Sequence, residues 1–147
     1  MKLNKIRNIE IAKEKYEWVN DVKIKVDYKK WVEFIDNNQD YFIWDENTKS
    51  GIHLRENMDK VPKNFRVPLS SISKTKAHSN YNEKEEYYET RILYHKEFGI
   101  IIIKFENKPK RRDVEIFIEM AEYLEAYLLI DGTKIITRED LDNGEIV

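Results

Sequence analysis

Phe98-Gly99-Ile100-Ile101-Ile102-Ile103-Lys104-Phe105, closed by Asn107-Lys108-Pro109, is the stretch from which the rest of the chain can be organised. Four consecutive isoleucines leave no side of a strand for water, so they predict a strand covered on both faces or central in a sheet. Upstream, residues 86–96 alternate: Tyr88, Thr90, Ile92 and Tyr94 fall on one side, with Glu89, Arg91 and His95 on the other. A turn near Glu97-Phe98-Gly99 makes these two strands neighbours. Downstream, Val114, Phe117, Ile118, Ala121, Leu124 and Leu128 recur at helical spacing and predict one long helix whose outer side carries Glu115, Glu119 and Glu122. Asp131-Gly132 supplies its stop, and residues 133–137 read as a short β-branched strand.

The flanks extend this core. Residues 69–82 begin β-tolerant and end turn-prone, which predicts a strand followed by a polar loop running to Glu85. Tyr28, Trp31, Val32 and Ile35 share one helical face behind Asp27, a good N-cap, so a helix is expected over 28–37. Val22, Ile24 and Val26 alternate with charged residues as a half-exposed strand would. Residues 4–19 suit a helix and a strand equally. Tyr41-Phe42-Ile43-Trp44 precedes a predicted helix over 52–58, and Pro62 and Pro68 bracket an irregular connection. The expected fold class is α+β: a mainly antiparallel sheet with a long C-terminal helix packed on one face and additional N-terminal helices, residues 1–147 forming a single domain.

Composition excludes several functions. The chain has 147 residues, no cysteine, and 26 basic against 28 acidic side chains. It therefore has no disulfide framework, no cysteine-ligated zinc and no thiol catalysis, which agrees with an expected cytoplasmic location. Residues 1–7 are basic, but no apolar run follows as a secretory signal requires. The longest aliphatic run is the isoleucine strand, so no membrane association is expected. The overall balance makes nucleic acid an unlikely partner. Eighteen aromatic residues (Trp 3, Tyr 9, Phe 6) offset a mean hydropathy of −0.73 and predict an aromatic core. Trp18, Trp31 and Trp44 stand 13 residues apart, but the pattern stops there and is read as coincidence.

No catalytic motif emerges, and no catalytic, cofactor-binding or metal-binding residue is assigned. His53, His78 and His95 lie too far apart for ligand spacing and read as exposed loop and strand residues. With four glycines, the chain has no glycine-rich phosphate loop. Asp45-Glu46 beside Trp44 is the carboxylate pair to inspect first, since acid–base chemistry needs two carboxylates in different environments. Trp44, Asp45 and His95 are the candidates for a site scattered in sequence. Lys108, Lys110, Arg111 and Arg112 oppose a helix dipole, a conflict that pairing of both arginines with Glu115 would relieve; a patch for phosphate backbones is the alternative reading.

Charge is unevenly distributed. Residues 1–74 carry net +3 and residues 75–147 net −5. Glu83, Glu85, Glu86 and Glu89 cluster at the entry to the alternating strand and are the candidate partner-binding residues, placed to steer a basic protein. The run from Glu119 to Ile136 resembles the closing helix–strand unit of small bacterial proteins, including immunity proteins of toxin–immunity pairs. The resemblance implies a protein that masks a toxin surface but carries no functional residues across. Two functions follow as expectations: a non-catalytic protein-binding domain, such as an immunity protein, or a small ligand-binding domain or enzyme recognised by an apolar pocket with convergent polar groups. A homo-oligomer joined through a sheet edge is an open alternative.

Overall fold

The computed structural model describes residues 5–57, 60 and 74–143. Among them, seven strands form one antiparallel sheet: β1 (Asn8–Ala12), β2 (Phe42–Trp44), β3 (Lys76–Asn82), β4 (Tyr87–His95), β5 (Ile100–Phe105), β6 (Tyr127–Ile130) and β7 (Lys134–Ile135), in the order β2-β3-β4-β5-β1-β6-β7. Four α-helices accompany them: α1 (Tyr28–Asp36), α2 (Lys49–Glu56), α3 (Arg111–Tyr123) and α4 (Arg138–Asp142). The fold is α+β.

Register explains the layering. Ile9 faces Ile103 and Ile103 faces Ile92, while Ile11 faces Ile101 and Ile101 faces Tyr94. These side chains share one face of the sheet and join Trp31, Phe34 and Ile35 of α1 with Val114, Phe117, Ile118 and Ala121 of α3 in the main core. The expected aromatic core is present. The Trp31 and Trp44 rings meet edge to face at 5.4 Å, Phe117 touches both Phe42 and Phe105, and Tyr94 lies against Trp31. Trp18, by contrast, is 73% exposed. On the opposite face, the segment between β1 and α1 lays Tyr16, Val19 and Val22 over Ala12, Ile100 and Leu129.

Several expectations need correction. Helix α3 has 13 residues and ends at Tyr123, although Leu124 and Leu128 prolong its apolar stripe. Glu125 takes a left-handed backbone (φ 52°), and Ala126 N–H closes the helix on the Ala121 carbonyl at 2.9 Å. Leu128 then pairs with Ile11 in β6, since β1 needs a partner on the side that β5 leaves free. The ambiguous residues 4–19 contain strand β1. Residues 22–26 form no strand: Val26 donates to the Gly99 carbonyl at 2.8 Å, and Ile24 is exposed. The strand expected in the first part of residues 69–82 lies mostly outside the described residues, and the turn-prone end of that stretch is strand β3.

Other readings hold. Asp27 Oδ1 accepts from Lys30 N–H at 3.1 Å and caps α1. Arg111 pairs with Glu115 at 2.8 Å and also reaches Asp142. Arg112 instead lies over the Tyr41 ring, 5.9 Å from its centre. Asp113, only 4% exposed, accepts from Tyr41 Oη at 2.5 Å, Asn80 Nδ2 at 2.9 Å and Lys110 N–H at 2.9 Å, tying the start of α3 to β3 and to Tyr41 just before β2.

Candidate functional site

A cleft of about 880 Å³ opens between the start of α2 and the β3–β4 pair. Its described lining includes Asp45, Lys49, Lys76, His78, Tyr81 and Tyr88, with Glu86, Tyr87, Arg91 and Glu106 around them. Local conformation decides why these side chains converge. His78 and Tyr81 are three residues apart in a strand, which regular alternation would place on opposite faces. Asn80 between them is left-handed (φ 57°), a conformation asparagine tolerates better than most residues. Its side chain donates to Thr90 at 3.2 Å and to Asp113, toward the core, and both His78 and Tyr81 line the cleft.

Asp45 arrives by a second constraint. Trp44 pairs with Ala77, and a 3-10 turn over Asp45–Asn47 follows at once. Thr48 caps α2: its Oγ1 accepts from Gly51 N–H at 3.1 Å and donates to the Asp45 carbonyl at 2.7 Å. Gly51 presses on that turn so closely that a Cβ there would lie 2.0 Å from the Asp45 carbonyl oxygen. The turn is therefore fixed from two sides, and Asp45 Oδ1 meets His78 Nε2 at 2.7 Å.

The chemistry of this pair is specific. His78 is 8% exposed, and burial holds its pKa below the usual 6.5, outweighing the opposing pull of the Asp45 carboxylate. Lys76 and Arg91 push in the same direction as burial. A neutral ring bonded to a carboxylate through Nε2 carries its proton there, so Nε2–H donates and Nδ1 holds the lone pair. Nδ1 is buried without a hydrogen-bond partner. The one basic nitrogen of the ring is thus sealed inside the protein, and His78 acts on the cleft by holding Asp45. The His78 and Tyr88 rings lie 5.2 Å apart, and Tyr81 meets Tyr88 at 4.9 Å. Arg91 binds Glu106 at 2.7 Å.

Of the candidate residues singled out in the sequence, Asp45 and Glu86 both line the cleft. Trp44 is buried in the core with Nε1 bonded to Asp36 at 2.8 Å. His95 stacks on Phe98 at the β4–β5 turn. Glu83 and Glu85 are exposed in the turn between β3 and β4, whereas Glu89 is half-buried and accepts from Asn82 and Asn107. His78, expected from the sequence at the surface, is buried, and the 33 positions separating it from Asp45 give no spacing signal. Among the described residues, no group of three or more histidine, aspartate or glutamate side chains is placed to hold a metal ion, and no helix is long and apolar enough to cross a membrane. No protein-family model, curated protein or solved structure matches the chain.

Proposed function

We propose that this chain is a non-catalytic protein-binding domain, of the kind an immunity protein presents to its toxin, and that the cleft between α2 and β3–β4 is its docking face. The observation that carries this reading is the cleft's make-up. Tyr81, Tyr87, Tyr88 and Arg91 converge there, and tyrosine and arginine are the residue types that dominate binding energy at interfaces. A tyrosine buries a large rigid surface at little entropic cost and still offers a hydroxyl. The sealed Nδ1 of His78 argues against that residue as a general base, which needs its basic atom within hydrogen-bond reach of the substrate.

The test is a pull-down with the product of the adjacent gene, together with the toxicity of that product when this gene is deleted. The reading predicts a complex and toxicity relieved by re-supplying this chain; no complex and no toxicity would overturn it. One observation favours a second reading. A volume of about 880 Å³ falls in the range of small-molecule sites, so a small ligand-binding domain is the alternative. Binding of a metabolite in the cleft with no protein partner would select it.

A further inference from the structure

Resting on the docking reading above, we infer that the cleft takes an extended segment of the partner protein that is itself dipolar, with an acidic residue at one end, an apolar or aromatic middle, and a basic residue at the other. The cleft has two unlike ends. β3 runs along it from Lys76, paired with Leu93, to Asn82, paired with Tyr87 at the hairpin. At about 3.3 Å per extended residue, and less where Asn80 turns left-handed, these ends are at most about 20 Å apart, room for about five or six extended residues.

At the Lys76 end, Lys49 and Lys76 line the wall together with Asp45, which Trp44 places beside Ala77. With His78 neutral, these described lining residues carry one net positive charge. Arg91 and Glu106, farther in, cancel each other. The hairpin end holds Glu83, Lys84, Glu85 and Glu86 in a four-residue turn, net −2, with Glu86 on the cleft wall. Tyr81 and Tyr88 lie between. Tyr81 is 43% exposed, a large apolar surface that a partner side chain would cover. Complementary charge at both ends selects the register of a bound segment and rejects segments of one sign.

The experiment uses the full chain and fluorescein-labelled peptides followed by anisotropy at low salt: a dipolar probe, Asp-Asp-Leu-Tyr-Leu-Lys-Lys, and an all-acidic one, Asp-Asp-Leu-Tyr-Leu-Asp-Asp. The dipolar probe is expected to bind at least fivefold more tightly. Lys49→Glu with Lys76→Glu, or Glu83→Lys with Glu85→Lys and Glu86→Lys, should each weaken it at least fivefold. Combining all five substitutions should restore it to within twofold, because the probe then binds end for end, and that recovery also shows that the combined variant folds; far-UV circular dichroism matching the parent shows it for the two partial ones. Equal or tighter binding of the acidic probe, displacement by inorganic phosphate alone, failure of the combined variant to recover, or no binding at millimolar peptide would overturn the proposal. So would a dimer of this chain dispersed by Lys49→Glu with Lys76→Glu, which would assign the cleft to a second copy. If the adjacent gene's product binds and Tyr88→Ala with Arg91→Ala removes it while both charge reversals leave it unchanged, the docking reading stands and this inference falls.

Discussion

At the residue scale, His78 and the two buried tryptophans make the sharpest statements. The folded His78 imidazole titrates below 6.5 because it is buried, whereas the unfolded one takes its proton near 6.5. Between those two values the unfolded state binds the extra proton, so His78's contribution is complete above about pH 6.5 and is lost as pH falls toward its folded pKa. Urea midpoints measured from pH 7.5 to 5 should decline in this window, and His78→Gln should flatten the decline. The tryptophans differ in one bond. Trp44 Nε1 donates to Asp36, but Trp31 Nε1 is buried without a partner. Both Trp→Phe changes remove volume, yet only Trp44→Phe also breaks a hydrogen bond, worth about 1 kcal/mol. Chemical denaturation should therefore find Trp44→Phe the more costly by about that amount. Asp113 offers a third check. Removing an acceptor that serves three donors in a buried site strands those donors, and Asp113→Ala should lose about 3 kcal/mol or more in the same assay.

At the element scale, the sequence speaks clearly where one physical effect dominates and poorly where two compete. The alternation of Thr90, Ile92 and Tyr94 and the Asp27-capped stripe of α1 were legible because burial on one face and local propensity agree. The end of α3 was not, because the apolar stripe continues through Leu124 and Leu128 while the break depends on a left-handed Glu125 where glycine would have announced it. That residue carries a steric cost that glycine would not, so Glu125→Gly should raise stability by about 0.5–1 kcal/mol, seen as a higher denaturation midpoint. Strand β3 was hidden for another reason. Its composition, Lys-Ala-His-Ser-Asn-Tyr-Asn, is poor in strand-forming residues because it supplies His78 and Tyr81 to the cleft and Asn80 to the polar network on Asp113. A strand that builds a site looks like a loop in sequence. Asp45 was legible as a residue to inspect; its partner was not, since only the β2–β3 pairing brings His78 to it.

At the scale of the whole molecule, the central sheet divides the chain's tasks. One face joins α1 and α3 in an aromatic core, and the other is covered near β1 and β6 by the segment carrying Tyr16, Val19 and Val22. Among the described residues, the cleft near β3 and β4 lies between the start of α2, in the basic first part of the chain, and the β3–β4 pair, in its acidic second part. We propose that this cleft docks a protein. Isothermal titration of the adjacent gene's product into the full chain and into the Tyr88→Ala, Arg91→Ala variant tests it most directly. Both side chains lie at the cleft, and the Arg91–Glu106 pair is exposed enough to add little stability. A complex is expected whose affinity falls about a hundredfold or more in the variant while the variant's thermal midpoint stays within a few degrees of the parent; unchanged affinity in the variant, or no complex with either chain, would rule out docking at this cleft.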